Sequence, residues 1–103
     1  MKGFKVIRED KTHHGFVYQE GLNIDTNPFR AFGSCVSGGL YFFEKIIDVV
    51  IWLNYGVYLY NVEVPKRRKY VKDPGGNKYR ASGLILSNPR DLRKVETWEY
   101  LIE

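Results

Sequence analysis

Residues 33–43 read GSCVSGGLYFF, and residues 44–54 continue EKIIDVVIWLN. Gly38 and Gly39 stand where a loop hands over to a strand, Leu40–Phe43. A glycine pair at such a junction marks a torsion with positive φ, or backbone that something approaches closely. From Glu44 to Asn54 the pattern changes to helical spacing, with Ile46, Ile47, Val50, Ile51 and Leu53 along one stripe. Asn54-Tyr55-Gly56 closes that helix, with Gly56 as a left-handed cap.

Upstream, Phe4–Arg8 reads as a first strand and His14–Tyr18 as a second, rich in aromatic and β-branched residues. Glu20–Ser37 carries Gly, Asn, Asp, Pro and Ser at short intervals and reads as a long irregular loop. Phe29 and Phe32 are its expected anchors to the body. Downstream, Val57–Val64 (VYLYNVEV) is the clearest strand, and Pro65 stops it. Tyr58, Tyr60, Val62 and Val64 share one face and Val57 and Leu59 the other, as in a central strand buried on both sides.

Tyr70–Lys72 and Lys78–Ala81 flank the turn Asp73-Pro74-Gly75-Gly76-Asn77, which has turn chemistry at each position. Leu84–Leu86 is a further short strand. Asn88, Pro89 and Asp91 suit the start of a terminal helix. In that helix Leu92, Val95, Trp98 or Glu99, and Ile102 follow at helical spacing. The expected architecture is α+β: one domain over residues 1–103, a mostly antiparallel sheet of about six short strands, and two helices.

Bulk properties exclude several classes. The chain has 103 residues and one cysteine, so neither an internal disulfide nor a cysteine-rich zinc site is available. The longest apolar run, Ile46–Leu53, is interrupted by Asp48 and is too short to cross a bilayer. The start, MKGFKVIRED, is charged and unlike a cleavable leader, so a soluble protein of intracellular origin is expected. A net charge of +4 favours acidic partners mildly, short of the footprint of a dedicated nucleic-acid binder.

Several segments together resemble a small uncharacterised family of large DNA viruses. They are GFVYQEGLNIDTNPF, GSCVSGGLYFF, Trp52–Gly56, YNVEVP and GGNKYRASGLILSN, covering roughly residues 13 to 88. Members of that family stand alone or accompany ankyrin repeats. Met1-Lys2-Gly3-Phe4 and Cys35-Val36-Ser37-Gly38 also resemble a short phage and bacterial domain of unknown function. A more distant likeness is to the ADP-ribosyltransferase fold, through His14-Gly15, Gly38-Gly39-Leu40-Tyr41-Phe42 and the helix and Val-rich strand that follow. That resemblance implies that His14 and Tyr41 hold a nicotinamide dinucleotide. Its third element departs: Asn77-Lys78-Tyr79 offers no acid to support a ribosyl cation. The likeness therefore implies a ligand-binding relative without transfer activity.

Each candidate site has an ordinary structural counterpart. His13 and His14 are adjacent on a strand, point to opposite faces and do not readily share a metal. Cys35 lacks neighbouring charge to lower its thiol pKa, so a small buried loop residue is expected rather than a nucleophile paired with His14. His14, Gly38, Gly39 and Tyr41 form the candidate ligand site, set against a tight turn or bulge entering the sheet. Lys66, Arg67, Arg68, Lys69, Lys72, Lys78 and Arg80, interleaved with Tyr70 and Tyr79, form the candidate basic contact surface. Its ordinary counterpart is lysine protection of a sheet edge. Tyr55, Tyr58, Tyr60 and Trp52 read first as packing residues.

The resulting expectation is a viral accessory or virion-associated protein, in the host cytoplasm or the virion. It binds another protein through the Asn23–Phe32 loop or the basic ribbon, with no catalysis, cofactor, metal or membrane. A degenerate or active ADP-ribosyltransferase-like nucleotide binder and a nucleic-acid binder using residues 66–80 are the alternatives.

Overall fold

The computed structural model describes residues 1–13, 15–29, 38–49, 56–74 and 76–102. Among the described residues nine strands form: β1 Lys2–Ile7, β2 Thr12–His13, β3 Phe16–Val17, β4 Gly21–Ile24, β5 Leu40–Phe43, β6 Tyr58–Glu63, β7 Tyr70–Lys72, β8 Lys78–Ala81 and β9 Gly83–Asp91. Two helices, α1 Ile46–Val49 and α2 Val95–Leu101, complete the described elements. Seven strands make one antiparallel sheet in the order β4-β9-β6-β1-β5-β8-β7, and β2 and β3 pair as a separate hairpin. The α+β class expected from the sequence is the class observed.

Alternation of side chains puts the core on one face of the sheet. Opposed pairs such as Leu40 with Ala81 and Val62 with Leu86 point into it, joined by Ile7, Phe42, Tyr60 and Leu84. Phe16 and Tyr18 close over this face, their ring centroids 4.7 Å apart. The opposite face buries Leu59, and α1 packs on β1 and β5 with Val49 buried. β6 therefore has buried residues on both sides, as its sequence implies.

Four expectations give way to tertiary structure. The strand expected at His14–Tyr18 is the β2–β3 hairpin, because Gly15 at φ +80° reverses the chain; His14 lies outside the described residues. The loop expected from Glu20 contains β4, which pairs with β9. Asn23, buried at its centre, ties the approach together: its amide accepts from Gln19 N–H at 2.8 Å and donates to the Gln19 and Gly21 carbonyls. Phe29 is half-buried. Gly56 is not a left-handed cap. It is glycine because a Cβ there would collide with the Ile7 backbone, which Val57 N–H contacts at 3.1 Å.

The fourth correction concerns the terminal helix. Asn88, Pro89 and Asp91 do not start it but extend β9 to nine residues, since β6 offers partners as far as Tyr58, opposite Asp91. Asn88 absorbs the irregularity at φ +52°, a value Asn tolerates better than most residues. The helix begins at Val95, with Lys94 at the N-cap making no side-chain capping bond. In the first helix, Ile47 is 68% exposed and Val49 takes the inward position, while Val50, Ile51 and Leu53 lie outside the described residues.

Candidate functional site

The Gly38–Tyr41 junction is a left-handed entry into β5. Gly38 and Gly39 have φ of +93° and +135°, so the torsions require glycine. The Gly39 N–H donates to Asp25 Oδ2 at 2.6 Å. The Arg80 side chain lies against Gly39: a Cβ there would sit 2.9 Å from Arg80 Cδ. Tyr41 is opposite Arg80 in the ladder and half-buried, with Lys78 Nζ 4.8 Å from its ring centroid. Thus the structure brings Gly38, Gly39, Tyr41, Lys78 and Arg80 together. His14 and Cys35 lie outside the described residues.

Two groups at this junction escape a motif-based reading. Asp25 also accepts from Asn27 N–H at 3.2 Å, fixing the turn after β4. Lys5 is buried on β1, donates to the Tyr41 carbonyl at 2.5 Å, and places Nζ 4.8 Å from the Tyr18 ring centroid. Burial lowers its pKa to about 7. Burial, and then the Asp25 carboxylate, push the Tyr18 hydroxyl up. The inward position of Lys5 is legible in the sequence, because it alternates with Gly3 and Ile7 on the buried face of β1. Asp25 carries no such periodic signal. The contacts described here run within the chain and stiffen the junction.

The basic ribbon divides into buried and exposed parts. Arg80 is fully buried in an ion pair with buried Asp73, so it does not belong to an exposed contact surface. Its Cα is opposite Val71, and its side chain emerges on the face of Tyr41. Arg68 is half-buried, with its stem beside Gly83, and Lys78 is half-buried over Tyr41. Tyr79 stacks on Phe42 at 5.5 Å and donates its hydroxyl to Glu44 at 3.1 Å, whereas Tyr70 is half exposed. Lys66, Arg67, Lys69 and Lys72 remain as the exposed cations, along and beside edge strand β7.

A third surface was not anticipated. α2 is fastened by one flank: Thr97, buried, donates Oγ1 to the Asp91 carbonyl at 2.6 Å, and the Trp98 indole N–H donates to the Leu92 carbonyl at 2.8 Å. The Arg90 guanidinium sits 4.0 Å from the Tyr100 ring centroid. Beside it lies an open cleft of about 570 Å³, lined by Tyr58, Pro89, Arg90, Lys94, Thr97 and Tyr100 among others. Arg93 clamps Asp91 through side chain and backbone, holding that carboxyl down to about 2. Of the apolar residues at helical spacing here, Val95 is 69%, Trp98 38% and Ile102 82% exposed.

No helix among the described residues is long and apolar enough to cross a membrane. No protein-family model matches the chain, and no solved structure matches it. Its sequence relatives include proteins of Acanthamoeba polyphaga mimivirus. The chain is 42% identical over 104 residues to R868, which is named for ankyrin repeats, covering 96% of this chain and 51% of that protein. It is 41% identical over 107 residues to R229, also named for ankyrin repeats, covering 95% of this chain and 34% of that protein. The chain thus spans about half or less of these two relatives. With the uncharacterized protein R869 it shares 35% identity over 104 residues, covering 97% of this chain and 75% of that protein. The chain belongs to a mimivirus protein family that includes R869.

Proposed function

We propose that this chain is a protein-binding module of a viral family, working in the host cytoplasm or the virion, and that its partner is a helical repeat of the ankyrin type. The observation that carries this reading is the apolar row along α2 and its C-cap, where Val95 and Ile102 are exposed and Trp98 partly so. Large apolar side chains exposed together on one short element are the usual mark of a contact surface.

The names of the relatives support this choice of partner class. The same unit makes up 51% of R868, 34% of R229 and 17% of L100, another protein named for ankyrin repeats. A unit recurring in proteins of such different length behaves as a module that keeps its own core. Because this unit is built on a sheet, the repeats that name those proteins belong to their remaining lengths. Within the Asn23–Phe32 segment the exposed residues Ile24, Thr26, Asn27 and Pro28, and the exposed cations Lys66, Arg67, Lys69 and Lys72, are further candidate contacts in this reading.

The test is direct. This chain, immobilised, is exposed to the portion of R868 outside the matched residues, first checked for helical circular dichroism, in biolayer interferometry. Saturable binding with a micromolar dissociation constant is expected. No response up to about 1 mM, where binding free energies fall to roughly 4 kcal/mol, overturns the proposal.

A further inference from the structure

We propose that the outer edge of β4, Gly21–Ile24, takes an extended segment of a partner protein as an added strand, apolar at alternate positions and basic at its ends. This is a different surface from α2 and does not rest on the repeat partner proposed above.

Backbone bonding fixes which groups of β4 face outward. The Asp25 N–H donates to the Ser82 carbonyl at 3.1 Å, continuing the register in which Ile24 lies opposite Gly83. Hydrogen-bonded and open pairs alternate along an antiparallel ladder. Asn23 and Gly21 therefore share the bonded phase of Asp25, and Leu22 and Ile24 direct their N–H and C=O groups away from β9. Among the described residues no strand lies beyond β4. Gln19 Nε2 donates to the outward Leu22 carbonyl at 2.9 Å, where the N–H of a neighbouring strand would come. Exchanging that exposed amide for a strand N–H conserves the bond. The side chains agree with the backbone. Leu22 and Ile24, two residues apart, share one face and are 47% and 43% exposed.

The two edges of the sheet are treated differently. β7 carries Lys72, with Lys66, Arg67 and Lys69 before it. Lysines on an edge oppose added strands, and β4 has none. Between Lys11 and Arg30 the chain has no lysine or arginine, while Glu20 and Asp25 bracket β4. Arg68 reaches Gly83, one strand in from the edge. These features select the occupant. Outward N–H and C=O groups on a strand are met by extended backbone, not by a helix, whose own groups are bonded internally. Opposite charges facing each other across a ladder stabilise it and like charges weaken it, so acids at both ends call for cations in the incoming strand. A second copy of this chain fits less well. β4 against β4 in antiparallel sets Glu20 of each copy towards Asp25 of the other. β7 against β4 joins copies head to tail, which does not close and runs on as a fibre.

The deciding experiment is NMR on this ¹⁵N-labelled chain titrated with the capped peptide Lys-Val-Thr-Val-Thr-Val-Lys. Saturable shifts are expected at residues 19–26, with a dissociation constant of about 1 mM. The Leu22 and Ile24 amide protons should move downfield and exchange more slowly at saturation. The same peptide with its backbone amides N-methylated keeps its side chains and charges but has no N–H to offer, and should bind roughly tenfold more weakly or not at all. A peptide with Glu at both ends should also bind more weakly, and Glu20→Lys should narrow that difference. Ile24→Pro removes an outward N–H without touching the ladder to β9, and should weaken binding roughly tenfold. If that variant disturbs the β9 resonances, Leu22→Lys, at an exposed position, decides by installing the guard that β7 has. Equal binding of the N-methylated peptide, full affinity in Leu22→Lys, or shifts centred on 66–72 or 92–102 overturns the proposal. So does the lack of a saturable shift up to about 10 mM. Concentration-dependent shifts of β4 without peptide assign the edge to a second copy of this chain and overturn it as well. The repeat partner is tested by its own experiment, so its failure and the failure of this edge are read separately.

Discussion

Lys5 and Asp73 show how charge is handled inside this molecule. Lys5 is buried and has a pKa near 7, against about 10.5 for an unfolded lysine. The unfolded chain therefore binds more protons than the folded one between those values, so stability rises with pH from about 7 upward and is lowest in acid. Tyr18, whose pKa is raised, acts in the opposite sense only above about pH 10. Lys5→Met should raise the melting temperature at pH 6, by roughly 5 °C or more for each kcal/mol recovered in a domain of this size. It should also abolish the rise between pH 7 and 10, read by thermal melts across that range. Asp73→Ala makes the reverse case. It leaves the buried Arg80 guanidinium without its carboxylate, and a loss of about 3–5 kcal/mol in urea unfolding is expected.

The elements differ in how their edges are protected. β7 ends the sheet on one side and carries Lys72, with Lys69 just before it, both exposed. A lysine on an edge strand opposes pairing with another chain. Lys72→Val should therefore leave the fold intact and increase light scattering at high protein concentration. An unchanged response would mean that edge protection lies elsewhere on the ribbon. The β7–β8 hairpin is also anchored at its tip, where Asn77 donates to Asp48 of α1 at 2.9 Å. The helix α2 rests on fewer ties. Thr97→Ala removes the bond to the Asp91 carbonyl and should cost about 1 kcal/mol. Faster amide exchange should then be confined to residues 95–102.

At the scale of the whole molecule, the sheet is assembled from distant parts of the chain. β1 pairs with β6, and β4 with β9, so the central strands close long loops before the core exists. Such topology places folding in the millisecond-to-second range. Five strands supply the core cluster, whereas α2 contributes one buried residue, Thr97. Removal of residues 94–103 should leave the sheet folded, with unchanged strand signal in circular dichroism and a modestly lower melting temperature. Loss of cooperative unfolding in that variant would show that α2 belongs to the core and would undercut its role as a presented surface.

The α+β class, the central β6 strand, the β7–β8 hairpin and the glycine junction at residues 38–39 were legible in the sequence. Each depends on short-range pattern: alternation, turn chemistry, or a torsion only glycine adopts easily. Tertiary structure alone decided the rest. The segment Gly21–Ile24 became a strand because β9 had an unpaired edge, and Asn88–Asp91 stayed extended because β6 ran on beside it. Arg80 turned inward because Asp73, across a tight turn, was there to receive its charge. The apolar stripe of α2 faced outward for the same kind of reason. Periodicity fixes which side chains share a face, but what that face meets depends on elements far away in the chain.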